Sequence, residues 1–123
     1  MANEITINAS LVYEDANGSK ASISIADGLS TVTTKKPVAN VLAVLTSETT
    51  INMGGLASVG WFMAKNLDTV NYIEIKDAAS GHVVGKMFPG ETYGPARLGS
   101  AMQAPVAIAN TNTCSMEYVA CAP

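Results

Sequence analysis

The chain has 123 residues, of which 48% are hydrophobic and 14% charged, and its formal net charge is −3. That length suits one domain with one sizeable core, and that apolar share excludes a disordered chain. The seven Lys and Arg are scattered, with only Lys35 and Lys36 adjacent, so no basic stripe for nucleic acid is present, and no apolar run approaches the roughly 20 residues that span a bilayer.

The opening residues, MANEITINAS, carry Glu4 early and lack both a basic region and an apolar region. They do not form a secretory signal, which predicts a chain made and folded in a cytoplasm. Residues 4–14 alternate cleanly. Ile5, Ile7, Ala9, Leu11 and Tyr13 share one face, and Glu4, Thr6, Asn8, Ser10 and Glu14, with Val12, share the other. This is the pattern of a half-buried antiparallel strand. Asn17-Gly18 follows, a strong hairpin dipeptide because both residues tolerate positive φ. Residues 21–27 continue the alternation with Ile23 and Ile25 inward, so the first two strands are expected to form a hairpin.

Residues 28–37 are polar and Thr-rich. A short edge strand is expected at 31–34, protected by Lys35, Lys36 and Pro37. Helix and strand compete over 38–45, where Val38, Val41, Leu42 and Leu45 have helical spacing. The β-branched Val41, Val44, Thr46, Thr49, Thr50 and Ile51 favour strand, which predicts strands over 40–46 and 48–53.

Gly54-Gly55 leads into the most regular stretch, residues 60–95. Trp61-Phe62-Met63-Ala64 is an apolar run, and Asn66-Leu67-Asp68-Thr69 is a polar break. Over 71–77, Ile73 and Ile75 oppose Tyr72, Glu74 and Lys76. Ser80-Gly81 turns the chain, 82–88 is apolar and β-branched, and Pro89-Gly90 ends it. This reads as a meander at the centre of the fold. A strand over 92–98, a small-residue loop over 99–104 and strands over 105–110 and 114–121 complete the chain. Eight to ten short strands with no helix predict an all-β fold. We expect a single antiparallel β-sandwich over residues 1–123, jelly-roll-like, with the runs 41–45 and 61–64 covered on both faces.

No residue set is built for covalent chemistry, so no catalytic, cofactor-binding or metal residue is assigned and no cofactor is called for. His82 is the only histidine and sits in a turn, without HxH, HxxxH or CxxC nearby. Asp68, Glu74, Asp77 and Glu91 are the carboxylates of the central stretch. Glycosidase chemistry would need two of them facing, but Glu74 shares its face with Tyr72 and Lys76. No serine lies in a GxSxG elbow. Asp15, Asn17 and Gly18 lack the rest of a calcium loop. Cys114 and Cys121, seven apart on one strand, would face opposite sides, separated by more than roughly 20 Å, and could not bridge, which leaves two reduced packing residues or an intermolecular link through Cys121. Tyr93 is the best candidate for an exposed stacking aromatic, and Trp61 reads as buried.

The run Phe62-Met63-Ala64-Lys65-Asn66-Leu67-Asp68-Thr69-Val70-Asn71-Tyr72-Ile73-Glu74-Ile75, followed by Gly85-Lys86-Met87-Phe88-Pro89-Gly90-Glu91 and Ala96-Arg97-Leu98, resembles small virion structural proteins of tailed bacteriophages. Such chains carry an apolar strand ending in KNLD, a TNYVEI-like segment and a KLKPGE-like turn. The likeness covers residues 60–98, a third of the chain, and departs from the pattern at Val70 and at Met87-Phe88. It implies a virion subunit with no enzymatic activity, and most directly a capsid decoration (cement) protein bound to the major capsid protein or to other virion subunits. Such proteins are often trimeric homo-oligomers and need neither nucleic acid nor membrane. On this reading the contacts would come from residues 1–7, 28–37 and 99–104. The alternatives are a tail- or fibre-associated structural protein and a module that binds carbohydrate or the host surface.

Overall fold

The structure is a computed structural model that describes residues 4–14, 16–31 and 38–122. The chain folds as two compact units, Met1–Thr33 and Thr34–Pro123.

The first unit is a β-hairpin of β1 (Glu4–Glu14) and β2 (Lys20–Thr31). Its register places Leu11 opposite Ile23, Tyr13 opposite Ala21 and Glu14 opposite Lys20. Gly18 takes φ +84 in the turn, as the Asn-Gly signal requires. Two expectations change here. The second strand continues past residue 27 to Thr31, beyond a register shift between Ile7 and Ala9. Ile23 does not point inward: it is 73% exposed. The Ile25 side chain and the strand expected at 31–34, beyond Thr31, lie outside the described residues.

The second unit is a sandwich of eight antiparallel strands: β3 (Val38–Val44), β4 (Thr49–Thr50), β5 (Trp61–Asn66), β6 (Ile73–Lys76), β7 (Val83–Met87), β8 (Thr92–Arg97), β9 (Val106–Ala109) and β10 (Cys114–Ala120). Their pairing is nested. β6 pairs with β7, β5 with β8, β4 with β9 and β3 with β10. Successive pairs fall in alternate sheets, which gives the orders β3-β10-β5-β8 and β4-β9-β6-β7. This is the wrapping of a jelly roll. The expected meander is therefore corrected. β5 and β6 do not pair, because the polar break at 66–69 carries the chain from one sheet to the other. Within the second unit, β6–β7 is the one pair formed by consecutive described strands.

Strand alternation fills the core between the sheets. β10 shows it best, with Cys114, Met116, Tyr118 and Ala120 buried and the residues between them exposed. They pack with Val44, Ile51, Phe62, Ala64, Ile73, Ile75, Met87 and Ala107. The Phe62 ring lies 6.2 Å from both Tyr93 and Tyr118, and the Tyr118 hydroxyl donates to the Asn52 carbonyl. The strand expected over 48–53 shrinks to two residues, since the Asn52 side chain accepts the Gly54 N–H and turns the chain there.

β3 is a strand, as its β-branched residues favour. The runs 41–45 and 61–64 are not covered on both faces, however: Val41 is 57% and Met63 40% exposed. Their apolar outer side chains face outward from the sheet β3-β10-β5-β8. The 99–104 loop contains a short 3-10 turn, Ser100–Met102, and it is tied down by Gln103. The Gln103 side chain accepts the Val59 N–H and donates to the Val59 and Gly99 carbonyls.

Candidate functional site

Three of the four carboxylates singled out in the sequence, Asp68, Asp77 and Glu91, are engaged in holding turns. Asp68 accepts the Asn71 and Val70 N–H groups, and these bonds hold its carboxyl below its usual range. Glu91 accepts the Phe88 N–H at 2.8 Å, and Asp77 accepts the His82 N–H at 2.7 Å. Glu48 takes the Lys76 ammonium at 2.7 Å and the Ser80 N–H with both oxygens, so its carboxyl is also held low. This clamp joins the 45–48 loop to the β6–β7 turn, where Ser80 stands at φ +57. Glu74 sits opposite Lys86 on the outer face of β6–β7. The His82 side chain is exposed beside Asp77. The structure does not bring these groups together around one cavity, and among the described residues no three His, Cys, Asp or Glu are grouped to hold a metal ion. No helix among them is long and apolar enough to cross a membrane.

A pH dependence follows from the two depressed carboxyls. A group whose folded pKa lies below its unfolded value stabilises the fold above the unfolded value and loses that effect as pH falls through the folded one. With unfolded values near 4, thermal stability is expected to be flat from about pH 7 to 5 and to fall below about pH 4. Melting curves of the parent and of Asp68→Asn across that range check this. The variant should start lower and lose less on acidification, and equal slopes would overturn the assignment.

The aromatic residues are rearranged relative to expectation. Tyr93 is half-buried, with its ring against Gly85 and its hydroxyl 3.9 Å from the Met102 sulfur. A second aromatic pair joins the half-buried Tyr72 to the exposed Phe88, edge to face at 5.8 Å, with the Lys86 ammonium 3.8 Å over the Tyr72 ring. A flat stacking platform is not offered there, because the cation occupies the Tyr72 face. Trp61 is half-buried on the outer side of β5, under the Arg97 guanidinium at 5.2 Å. Burial raises the pKa of both thiols, Cys114 and Cys121, which keeps them protonated and poorly nucleophilic at neutral pH.

Two apolar surfaces are the features most suited to a role. The first is the hairpin face that carries Leu11, Tyr13 and Ile23, all largely exposed. Its other face carries Ser10, Ser22 and Ser24 with, among the described residues, a single exposed apolar residue, Val12, and the Lys20–Glu14 ion pair at 3.5 Å closes the turn end. The second is the outer face of β3-β10-β5-β8. Register places Ala39, Val119 and Met63 in one row across three strands, and Val41, Glu117 and Lys65 in the next. Contiguous exposed apolar residues of this kind mark contact sites. The alternation of the hairpin was visible in the sequence and 41–45 and 61–64 read as apolar runs, but neither pattern can say whether an apolar face meets the chain's own core or another molecule.

A scan of protein-family models and searches of curated proteins and of solved structures give no match to this chain.

Proposed function

We propose that this chain is a structural subunit of a tailed-phage particle, a capsid decoration (cement) protein that binds the major capsid protein on the head surface. The hairpin carries this reading. A two-stranded ribbon is marginal alone in water, and this one exposes Leu11, Tyr13 and Ile23 along a single face. Docking that face on a shell subunit would supply the missing layer. A jelly-roll sandwich whose polar groups serve its turns is a suitable rigid body for such an arm. The resemblance over residues 60–98 points the same way. The glycan-binding alternative is less well supported, since Tyr93 is packed inward and Tyr72 is capped by Lys86.

Virions purified by density gradient from the cells that make this chain test the proposal. The chain should be present near the copy number of the shell subunit, with immunogold label on heads. The triple variant Leu11→Ser, Tyr13→Ser, Ile23→Ser should be lost from particles at least tenfold, with the melting of the sandwich unchanged. Absence of the parent chain from particles, label on tails, or full incorporation of the triple variant would overturn it.

A further inference from the structure

We propose that the outer face of the sheet β3-β10-β5-β8 is a self-association surface that takes a second copy of this chain about a twofold axis running along the strands, between β10 and β5. The face is self-complementary about that axis. Glu117 on β10 and Lys65 on β5 are direct cross-strand neighbours with outward side chains. Val119 and Met63 are the next outward pair along the same two strands. An axis lying between those strands in the plane of contact brings Glu117 onto Lys65 of the second copy, and Val119 onto its Met63. Each contact then occurs twice, as an isologous interface requires. An in-plane axis across the strands would set each charge against its own copy.

The charges are available for this. The ion pairs among the described residues are Lys20–Glu14, Lys76–Glu48 and His82–Asp77, and neither Glu117 nor Lys65 takes part in one. Their neighbours in the same two rows, Val41, Ala39, Met63 and Val119, are all exposed and apolar. Two sheets meeting here would pack with their strands aligned, about 10 Å apart, like the two layers of a sandwich. Four strands with some six residues each give a footprint of roughly 20 by 20 Å. That is small beside a standard interface of about 800 Å² per partner, so dissociation in the micromolar range is expected. This pairing is independent of the particle role and is measured on the purified chain alone.

Sedimentation equilibrium of the full chain up to about 100 µM tests it. The parent is expected to form dimers. Glu117→Lys sets Lys against Lys65 at both copies of the contact, and Lys65→Glu sets Glu against Glu117, so each variant alone should dimerise on the order of tenfold more weakly. Mixing the two variants should restore a heterodimer close to parental affinity, because every basic side chain then meets an acidic one across the axis. A repulsion confined within one chain could not be relieved by mixing. Val119→Ser removes the apolar centre without touching the charges and should weaken the dimer with melting unchanged, which keeps the test open if a charge variant folds poorly. A parent that is monomeric or only trimeric, or a mixture that does not recover, would overturn the proposal.

Discussion

Replacing Asn66 with Ala is expected to lower the stability of the sandwich by about 3–5 kcal/mol, the largest single effect foreseen for a polar residue here. Asn66 ends β5 and its relative exposure is 0%. Its amide nitrogen donates to the carbonyls of Asn71 at 2.8 Å and Met87 at 3.1 Å, and its amide oxygen accepts the Asp68 N–H at 2.9 Å. Its backbone also pairs with Glu91 and Gly90. One side chain thus joins the end of β5, the crossover to β6 and the end of β7. Truncation leaves two carbonyls without a donor, at roughly 1–3 kcal/mol each, and opens a cavity besides. For a unit of this size the melting temperature should fall by roughly 15 °C or more. Asn66→Asp sharpens the test. At neutral pH it places a carboxylate beside the same two carbonyl oxygens and should be at least as damaging as Ala. Protonation supplies a donor again, so the folded pKa of that new acid lies above its unfolded value, and its stabilising effect is present at low pH and lost as pH rises. Asn66→Asp should therefore gain on Asn66→Ala as pH falls from 7 to 4. An Asn66→Ala protein that melts within about 3 °C of the parent would remove Asn66 from this role.

Asn66 also shows where sequence reading stops. Asn66-Leu67-Asp68-Thr69 has turn chemistry, and it does turn the chain. What could not be read is that the turn crosses between sheets and that Asn66 itself is buried, because its partners Met87 and Glu91 lie more than twenty residues further on. The hairpin of β1 and β2 was legible because its signals are local: alternation on both sides of Asn17-Gly18. The antiparallel sandwich was legible from many short alternating strands without a helix. Strand order was not, because the β3–β10 pair joins residues some seventy positions apart, and a strand's alternation identifies its buried face without naming its neighbour. The same limit explains the outer face of β3 and β5. Val41 and Met63 are apolar on the side away from the core, and apolar residues on both sides of a strand suggest cover on both sides. The described residues of the second unit do not supply that cover, and the self-association proposed above would. His82 and Glu91 were legible as turn residues because each lies within five positions of the group it bonds, whereas Asp77 read as the end of the strand over 71–77.

Replacing Gly94 with Ala is expected to destabilise the sandwich by about 3 kcal/mol, where the same change at Gly90 costs about 1 kcal/mol or less. The two glycines share a backbone conformation, at φ +87 and +79. They differ in the space around them. A Cβ at Gly90 would meet nothing within 4 Å, whereas at Gly94 it would lie 2.6 Å from the Phe62 carbonyl oxygen and 2.8 Å from the Ala96 nitrogen. Those are backbone atoms, and they cannot swing aside as a side-chain end would. The crowding has a structural origin. Phe62 pairs with Ala96 and Ala64 with Tyr93, so Gly94 and Pro95 together stand opposite Met63 alone. This is a β-bulge, with glycine at its positive-φ position, and it accommodates a proline that has no N–H for the ladder. The extra residue sets the direction of the strand on both sides. It lets Tyr93 turn inward against Phe62 and Gly85 while Arg97 emerges over Trp61 on the outer face. Gly94→Ala should therefore disturb the inner core and the proposed contact face together, with lower melting and weaker dimerisation, while Gly90→Ala changes neither by much. Comparing the two variants by thermal melting and sedimentation separates the cost of the dihedral from the cost of the close approach. If both variants lose the same small amount, the bulge tolerates a side chain and does not fix how β8 lies against β5.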